Sequence, residues 1–359
     1  MHTIRMDTML GGNHSWSVVM RSLAKGFLSL NNSVYLKSTN GLSDVDKSLL
    51  KFINKTNNSY DLDICYTLPR NFKARFNSKS NMKAAIYNYE SSGMPKEWTA
   101  CHKHIDFLFP SSNFSKDIFI ANGWPEEKCI VIPHGVDLDS FKEKRPCVFA
   151  TKKKFKFLNV SIPHYRKNID LVIDAYYNAF TEDDDVCLLL KTSMKRPKLA
   201  FECDVKNLIM SVQSKYRNKN LPQIEVVTKN FDSMIPLYNG VDCLVSASSS
   251  EGFGLPLLEA IAADKIVIAP HATGQIDFLN DKNSLLIDTR VVKADRRYQY
   301  WRPSPNATTY MPNVQQLSEK MLDAYNNYND LYNKLSNGMR DTVNKFTWEN
   351  ACKEILKLL

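Results

Sequence analysis

Two glutamates eight positions apart carry the densest chemistry in this chain. They bracket Glu251-Gly252-Phe253-Gly254-Leu255-Pro256-Leu257-Leu258-Glu259, which follows the small-residue run Ser248-Ser249-Ser250. An ionised carboxylate is an acceptor for hydroxyl groups. Glu251 therefore suits sugar hydroxyls, and Glu259 suits a second hydroxyl pair such as that of a ribose. Gly252 and Gly254 let backbone N–H groups come close to an anion. Pro256 fits the first turn of a following helix, whose N-terminus favours phosphate. A lone Gly-x-Gly would say little; two carboxylates around it, after an apolar strand, form a specific pattern. The competing reading is a tight turn with two solvated glutamates.

Such residues need a strand before them and a helix after. Val241–Ala247 reads as a strand, 248–254 as a loop, Leu257–Ala263 as a helix and Lys265–Pro270 as the next strand. A β-α-β unit of this kind implies a parallel sheet with a right-handed crossover, and ligands bind at the carboxyl ends of such strands. The first third alternates in the same style. His2–Asp7 is a strand, and a helix follows from Ser15 to about Leu30, with apolar positions 16, 19, 20, 23, 27 and 30. Ser33–Leu36, Asp63–Tyr66, Ala84–Tyr89 and Phe107–Pro110 are further strands, and Cys129–Pro133 is another apolar run. The polar, basic stretch Lys142–Lys156 reads as a domain boundary. Beyond it, Phe155–Ser161, Val186–Lys191 and Gln223–Thr228 read as strands. Ile169–Phe180 and the short Phe231–Asn239 read as helices. Arg290–Asn313 reads as an insertion loop, with the aromatic run Tyr298-Gln-Tyr-Trp301 inside it. Val314–Asn327 and Asn344–Leu359 are amphipathic helices. The expected fold class is α/β in two domains.

Composition narrows the function classes. The chain has 359 residues, 43% hydrophobic and 24% charged, which excludes disordered tails and fibrous rods. No stretch approaches about 18 uncharged apolar residues, the length of a membrane span. The first residues lack the basic region and apolar core of a secretory signal. The eight cysteines (65, 101, 129, 147, 187, 203, 243, 352) are scattered and read as reduced thiols of a cytoplasmic chain rather than staples or a zinc site. The net charge of +9 is spread over both halves. It suits nucleotide phosphates, acidic lipid headgroups or nucleic acid, or simply a soluble basic surface. Arg70, Lys73, Arg75, Lys79 and Lys83, interleaved with Phe72 and Phe76, read either as a solvated helix face or as a docking surface for an anionic membrane or polyanionic acceptor. Asp183-Asp184-Asp185 is read as a polar loop, so no metal site is expected.

The segment from Glu251 to Glu259 resembles the Glu-x7-Glu motif of the retaining, family-4-like glycosyltransferases of GT-B fold (glycosyltransferases group 1). Similar signatures run through most of the chain. They are the Gly11-Gly12 turn, Tyr87–Trp98, Phe109–Phe114, Ile132–Asp137, Arg166–Asp170 and Thr347-Trp348-Glu349. The resemblance implies two Rossmann-like domains facing each other across a cleft. They would be an acceptor-side domain over 1–145 and a nucleotide-sugar domain over 146–343, with a terminal helix at 344–359 crossing back to the first. It implies that Glu259 binds the nucleotide ribose and Glu251 faces the transferred sugar. The amides of Phe253, Gly254 and Leu255 would meet sugar and phosphate, and Gly11 and Gly12 would lie near the donor phosphates. Lys167, with Arg166 or Lys191, would neutralise the departing diphosphate without a metal or other cofactor. Where many members carry Gly-Arg before this lysine, the chain has Ser161-Ile162, which leaves the second cation open. Where many carry an acceptor-side histidine, it has Tyr89-Glu90, so Glu90 would position the acceptor. The implied activity is transfer of a hexose-type sugar from a nucleotide-sugar to a hydroxyl acceptor with retention, in glycan or surface polysaccharide synthesis. The acceptor would be a glycan or a lipid-linked one, with the enzyme cytoplasmic or peripheral to the inner face of a membrane. A hydroxylated DNA base as acceptor, a catalytically silent sugar-binding relative and a nucleotide-sugar epimerase of the same fold remain open alternatives.

Overall fold

The computed structural model describes residues 1–195, 197–199, 202–294, 304 and 306–359. The aromatic run Tyr298–Trp301 lies outside these residues. Two compact units result: Met1–Asp137 together with Lys345–Leu359, and Leu138–Asn344.

The first unit is built on the parallel strands β1 (Thr3–Thr8), β2 (Ser33–Ser38), β3 (Tyr60–Tyr66), β4 (Ser80–Ile86) and β5 (Phe107–Phe109), in the order β2-β1-β3-β4-β5. Its helices are α1 (Ser15–Ser29), the short α2 (Lys47–Leu50) and α3 (Phe72–Arg75), and α4 (Asn113–Ala121). Apolar residues at helical spacing place Val19, Met20, Leu23 and Phe27 of α1 in the core. The strands alternate: Ile4, Met6, Leu62 and Ile64 are fully buried, while Arg5, Asp7 and Asp63 point to the other face. There Arg5 donates to both Asp7 and Asp63 at 2.7 Å. Arg75 pairs with Asp7 at 3.2 Å. The basic stretch Arg70–Lys83 is not one helix face: a 3-10 turn, α3 and the start of β4 divide it. Cys129–Pro133 forms no strand of its own but runs beside β5, with Ile130 N–H donating to Leu108 O at 3.0 Å.

The second unit is a six-stranded parallel sheet in the order β11-β10-β9-β6-β7-β8. Its strands are β6 (Phe155–Val160), β7 (Val186–Lys191), β8 (Gln223–Val227), β9 (Cys243–Val245), β10 (Ile266–Pro270) and β11 (Leu285–Ile287). Continuous apolar runs such as Ile266–Pro270, buried throughout, are what a sheet covered on both faces requires. The helices are α5 (Ile169–Ala179), α6 (Val205–Gln213), α7 (Ile235–Asn239), α8 (Leu255–Ala262), α9 (Val314–Asn326) and α10 (Tyr328–Lys345). Part of the expected insertion loop is instead an antiparallel pair, β12 (Thr289–Lys293) with β13 (Thr308–Pro312). Strands β6, β7 and β8 lie to one side in chain order, and β9, β10 and β11 to the other. The direction of winding therefore reverses between β6 and β9, the place at which ligands bind in open α/β sheets.

The terminal residues belong to the first unit. α11 (Trp348–Leu356) packs on α1, and Cys352 Sγ accommodates the bare backbone of Gly26, where a Cβ would lie 2.7 Å away. Val136 pairs with Thr347, and Val136 N–H donates to Phe346 O at 3.0 Å. Gly135 is required at this crossing because a Cβ there would sit 2.2 Å from the Thr347 carbonyl carbon. His134 is buried between the rings of Tyr66 and Trp348, 6.4 and 5.7 Å away, and that burial lowers its pKa to about 3. The motif around His134 thus secures the returning segment.

Candidate active site

The loops leaving β6 and β9 meet at the reversal point and are laced together. Ser249 N–H donates to Arg166 O at 2.8 Å. Asn168, in the left-handed region at φ 47°, donates to Ala247 O at 2.8 Å and to Ser249 Oγ at 2.7 Å. Arg166 donates from Nη1 to Ser250 O at 2.6 Å and to Glu251 Oε2 at 3.3 Å. Lys167 Nζ pairs with the other oxygen, Glu251 Oε1. Glu251 and the neighbours Arg166 and Lys167, 85 and 84 positions before it, thus form one ion cluster. His164 supports it as an acceptor, its Nδ1 taking a hydrogen bond from Arg166 N–H at 3.1 Å. Burial, with Arg166 and Lys167 nearby, lowers its pKa to about 2 and keeps it neutral.

The glycine turn is latched from a third side. Thr273 Oγ1 accepts from Glu251 N–H at 3.0 Å, and Gly274 N–H donates to Glu251 O at 2.9 Å. The approach is so close that a Cβ on Gly274 would lie 2.2 Å from Gly252 O. Gly254 caps α8 at φ 95°, a conformation that side chains oppose. β13 contributes as well: Thr309 Oγ1 and Tyr310 N–H both donate to Ser249 O, at 3.1 and 3.2 Å. Reading Arg290–Asn313 as a loop missed this support. α8 begins at Leu255 with Pro256 in its first turn, two residues before the expected start. The ring of Phe253 is buried against Phe278, with centroids 4.9 Å apart, so only its backbone is available to a ligand.

The two glutamates have opposite surroundings. Burial alone would raise the Glu251 carboxyl, but Lys167 and Arg166 reverse this and hold it at about 2. Among the described residues, no cation pairs with Glu259. Burial raises it to about 7, opposed only by a hydrogen bond from Tyr238, whose hydroxyl donates to Glu259 Oε2 at 2.7 Å. Sequence reasoning missed Tyr238. A tyrosine in a short helix just before a buried strand was the available signal, since a buried phenol needs a partner.

The other sequence-selected residues have these surroundings within their own units. Lys191 ends β7 with Nζ 5.9 Å from the Phe231 ring centroid, and burial lowers its pKa. In the first unit, the Gly11-Gly12 turn follows β1. Gly11 N–H donates to Asn40 Oδ1 at 3.0 Å and Gly12 N–H to Ser43 O at 2.8 Å. Arg21 braces the turn through Leu10 O and Gly12 O. Glu90 follows β4, half-buried between the buried Tyr89 and Ser91. Tyr89 N–H donates to Ser115 Oγ on α4 at 3.1 Å, and Trp98 packs edge-on against Tyr87 and Tyr89. Among the described residues, no group of three or more metal-binding side chains comes together, and no helix is long and apolar enough to cross a membrane.

Residues 154–295 match the family model Glycosyl transferases group 1. The chain is 26% identical over 261 residues to an uncharacterized glycosyltransferase of Methanocaldococcus jannaschii, an alignment that covers 70% of this chain and 61% of that relative. Among solved structures, a glycosyltransferase from Rickettsia africae superposes with a TM-score of 0.71 at 18% identity, covering 99% of this chain and 97% of its own. Anabaena HepE, solved in complex with UDP-glucose, superposes with a TM-score of 0.71 at 14% identity over 100% of both chains. Residues 154–295, within the second unit, are thus similar to the glycosyl transferases group 1, in a chain whose two parallel sheets match the GT-B fold of these solved structures.

Proposed function

We propose that the chain transfers a hexose-type sugar from a nucleotide-sugar to a hydroxyl acceptor, with retention of anomeric configuration, in glycan synthesis. The observation that carries this reading is the Glu251 carboxylate, paired with Arg166 and Lys167 just before α8, with Glu259 further along that helix held by the Tyr238 hydroxyl. Retention follows from the likeness to the Glu-x7-Glu enzymes. A nucleotide-sugar donor is supported by the UDP and UDP-glucose complexes of HepE, a protein of the same fold.

In this reading Glu259 accepts from the ribose hydroxyls. The amides of Phe253, Gly254 and Leu255 face sugar and distal phosphate. Lys167 and Arg166 stabilise the charge that grows on the diphosphate as the glycosidic bond breaks. Arg166 is assigned as the second cation because it shares Glu251 with Lys167, while Lys191 lies on Phe231. Glu251, relieved of part of its pairing when the diphosphate takes the cations, accepts from the sugar hydroxyls. The acceptor hydroxyl passes its proton to a donor phosphate oxygen, so the protein's share is positioning and electrostatics. In the first unit, Glu90 is assigned to the acceptor and the Gly11-Gly12 turn to the donor phosphates. Lys73, Lys83, Lys103 and Lys128 line a concavity of about 430 Å³ in that unit, which suits a phosphate-bearing acceptor at an anionic membrane surface.

A thermal-shift screen of nucleotide-sugars tests the donor. A ligand at 100 times its dissociation constant adds about 2.7 kcal/mol of stability. A chain that no nucleotide-sugar stabilises and that releases no nucleoside diphosphate from any donor is not a transferase of this kind. Because side chains supply the positive charge, turnover is expected to survive excess EDTA; loss of activity that magnesium or manganese restores would refute that point. The anomeric configuration of the product, read by NMR, decides retention.

A further inference from the structure

Tyr238 is fully buried in α7, yet keeps a hydroxyl that a phenylalanine would lack. A phenol in such a place is costly unless bonded. Its hydroxyl spends its hydrogen on Glu259 Oε2 at 2.7 Å. Among the described residues Glu259 has no other hydrogen-bond partner and no cation within ion-pair distance. Its side chain remains partly open to solvent. One oxygen is thus fixed from inside the unit, and the other is left for a ligand.

We infer that Tyr238 is a positioning residue of the nucleotide site, holding one oxygen of Glu259 so that the other is presented to the ribose hydroxyls. The inference rests on Glu259 as the ribose acceptor, proposed above. The geometry divides the carboxylate between two tasks. A single buried donor stabilises its ionised form while leaving its second oxygen unoccupied. An ionised carboxylate can accept from both ribose hydroxyls, whereas a protonated one has given up part of that capacity. The protein thereby keeps Glu259 chargeable against a burial that favours its neutral form.

The test is Tyr238→Phe, with binding of UDP, ADP and GDP measured by isothermal titration from pH 6 to 9. The nucleoside diphosphate that binds the wild type should bind about tenfold more weakly at pH 7, the scale of one lost hydrogen bond to a charged group. The pH midpoint of binding should rise, so that the gap narrows toward pH 9. In turnover the Michaelis constant for the donor should rise while kcat at saturation changes less than about twofold. Replacing Tyr238 by 3-fluorotyrosine keeps the packing and strengthens the donor, and should move the midpoint down; it also serves if the phenylalanine variant does not fold. Affinity and midpoint unchanged in both variants would overturn the inference, as would a loss equal at every pH and shared by kcat. Glu259→Ala separates the two claims. If it binds nucleotide as the wild type does, the ribose assignment falls and takes the inference with it. If it weakens binding while Tyr238→Phe does not, only the positioning role falls.

Discussion

At Glu251, burial opposes ionisation and two cations override it; at Glu259, burial prevails. These opposite balances make opposite contributions to stability. Glu251 has a folded pKa below that of the unfolded chain, so its stabilisation is present above about pH 4.5 and is lost as pH falls toward 2. Glu259 has a folded pKa above its unfolded value, so it is neutral in effect below about 4.5 and destabilises increasingly as pH rises to 7. Glu251→Gln should therefore lower stability at pH 7 by about 3 kcal/mol, the scale for leaving buried cations unpaired, with the deficit shrinking between pH 4.5 and 2. It should also cut sugar transfer while leaving binding of the bare nucleoside diphosphate nearly intact, since the cations stay in place. Equal losses in transfer and binding would make Glu251 a loop support. Glu259→Gln should do the reverse in stability, raising the melting point of the ligand-free protein at pH 8 by the equivalent of about 1–3 kcal/mol, while weakening nucleotide binding. Calorimetric melts with and without nucleotide read both effects. A glutamine that leaves the melting point and the affinity unchanged would remove Glu259 from the site.

The unit β9–turn–α8–β10 was legible in the sequence because strand, small-residue turn and apolar helix follow within 30 positions, each with its own period. Its ends moved by one or two residues, and with Gly254 as its cap the helix starts at Leu255 rather than Leu257. The cluster of Glu251 with Arg166 and Lys167 could not be read from spacing, because the sheet order that joins β6 to β9 is a property of the whole unit. α10 escaped for a different reason. Its buried face, Leu335, Met339, Thr342 and Val343, has helical spacing, but asparagines and Gly338 dilute the signal. The turn itself is the most demanding element. Gly274→Ala drives a Cβ into the Gly252 carbonyl and should cost about 1–3 kcal/mol, with nucleotide affinity falling more steeply than at Gly41→Ala, where the added atom meets nothing within 4 Å. Equal affinities in the two variants would show that the turn tolerates displacement.

Over the whole chain, Leu138–Asn344 is a continuous segment, while the first unit is assembled from two separated ones. Deleting residues 345–359 should strip α11 from α1 and expose Gly26, Leu23 and neighbouring core. Hydrogen exchange should then accelerate across α1 and β1–β3 while β6–β11 keep their protection; uniform loss would mean that the units do not unfold separately. Sequence patterning found the amphipathic helix at this end, but the start of the return is set by Gly135 and Thr347, whose close approach is a contact between distant residues. The pairing of Val136 with Thr347 brings the departing and returning strands side by side, and this has a bearing on biosynthesis. A ribosome delivers residue 137 long before residue 345, so the unit begun second has all its parts first. The unit begun first must wait, with the α1 surface uncovered, through the synthesis of more than half the protein. Nascent chains stalled on an added C-terminal linker, so that residue 344 is outside the exit tunnel and 345–359 still inside, should resist protease over 138–344 while 1–137 is still cut. The opposite order of protection would show that the early segment closes on itself without its final helix.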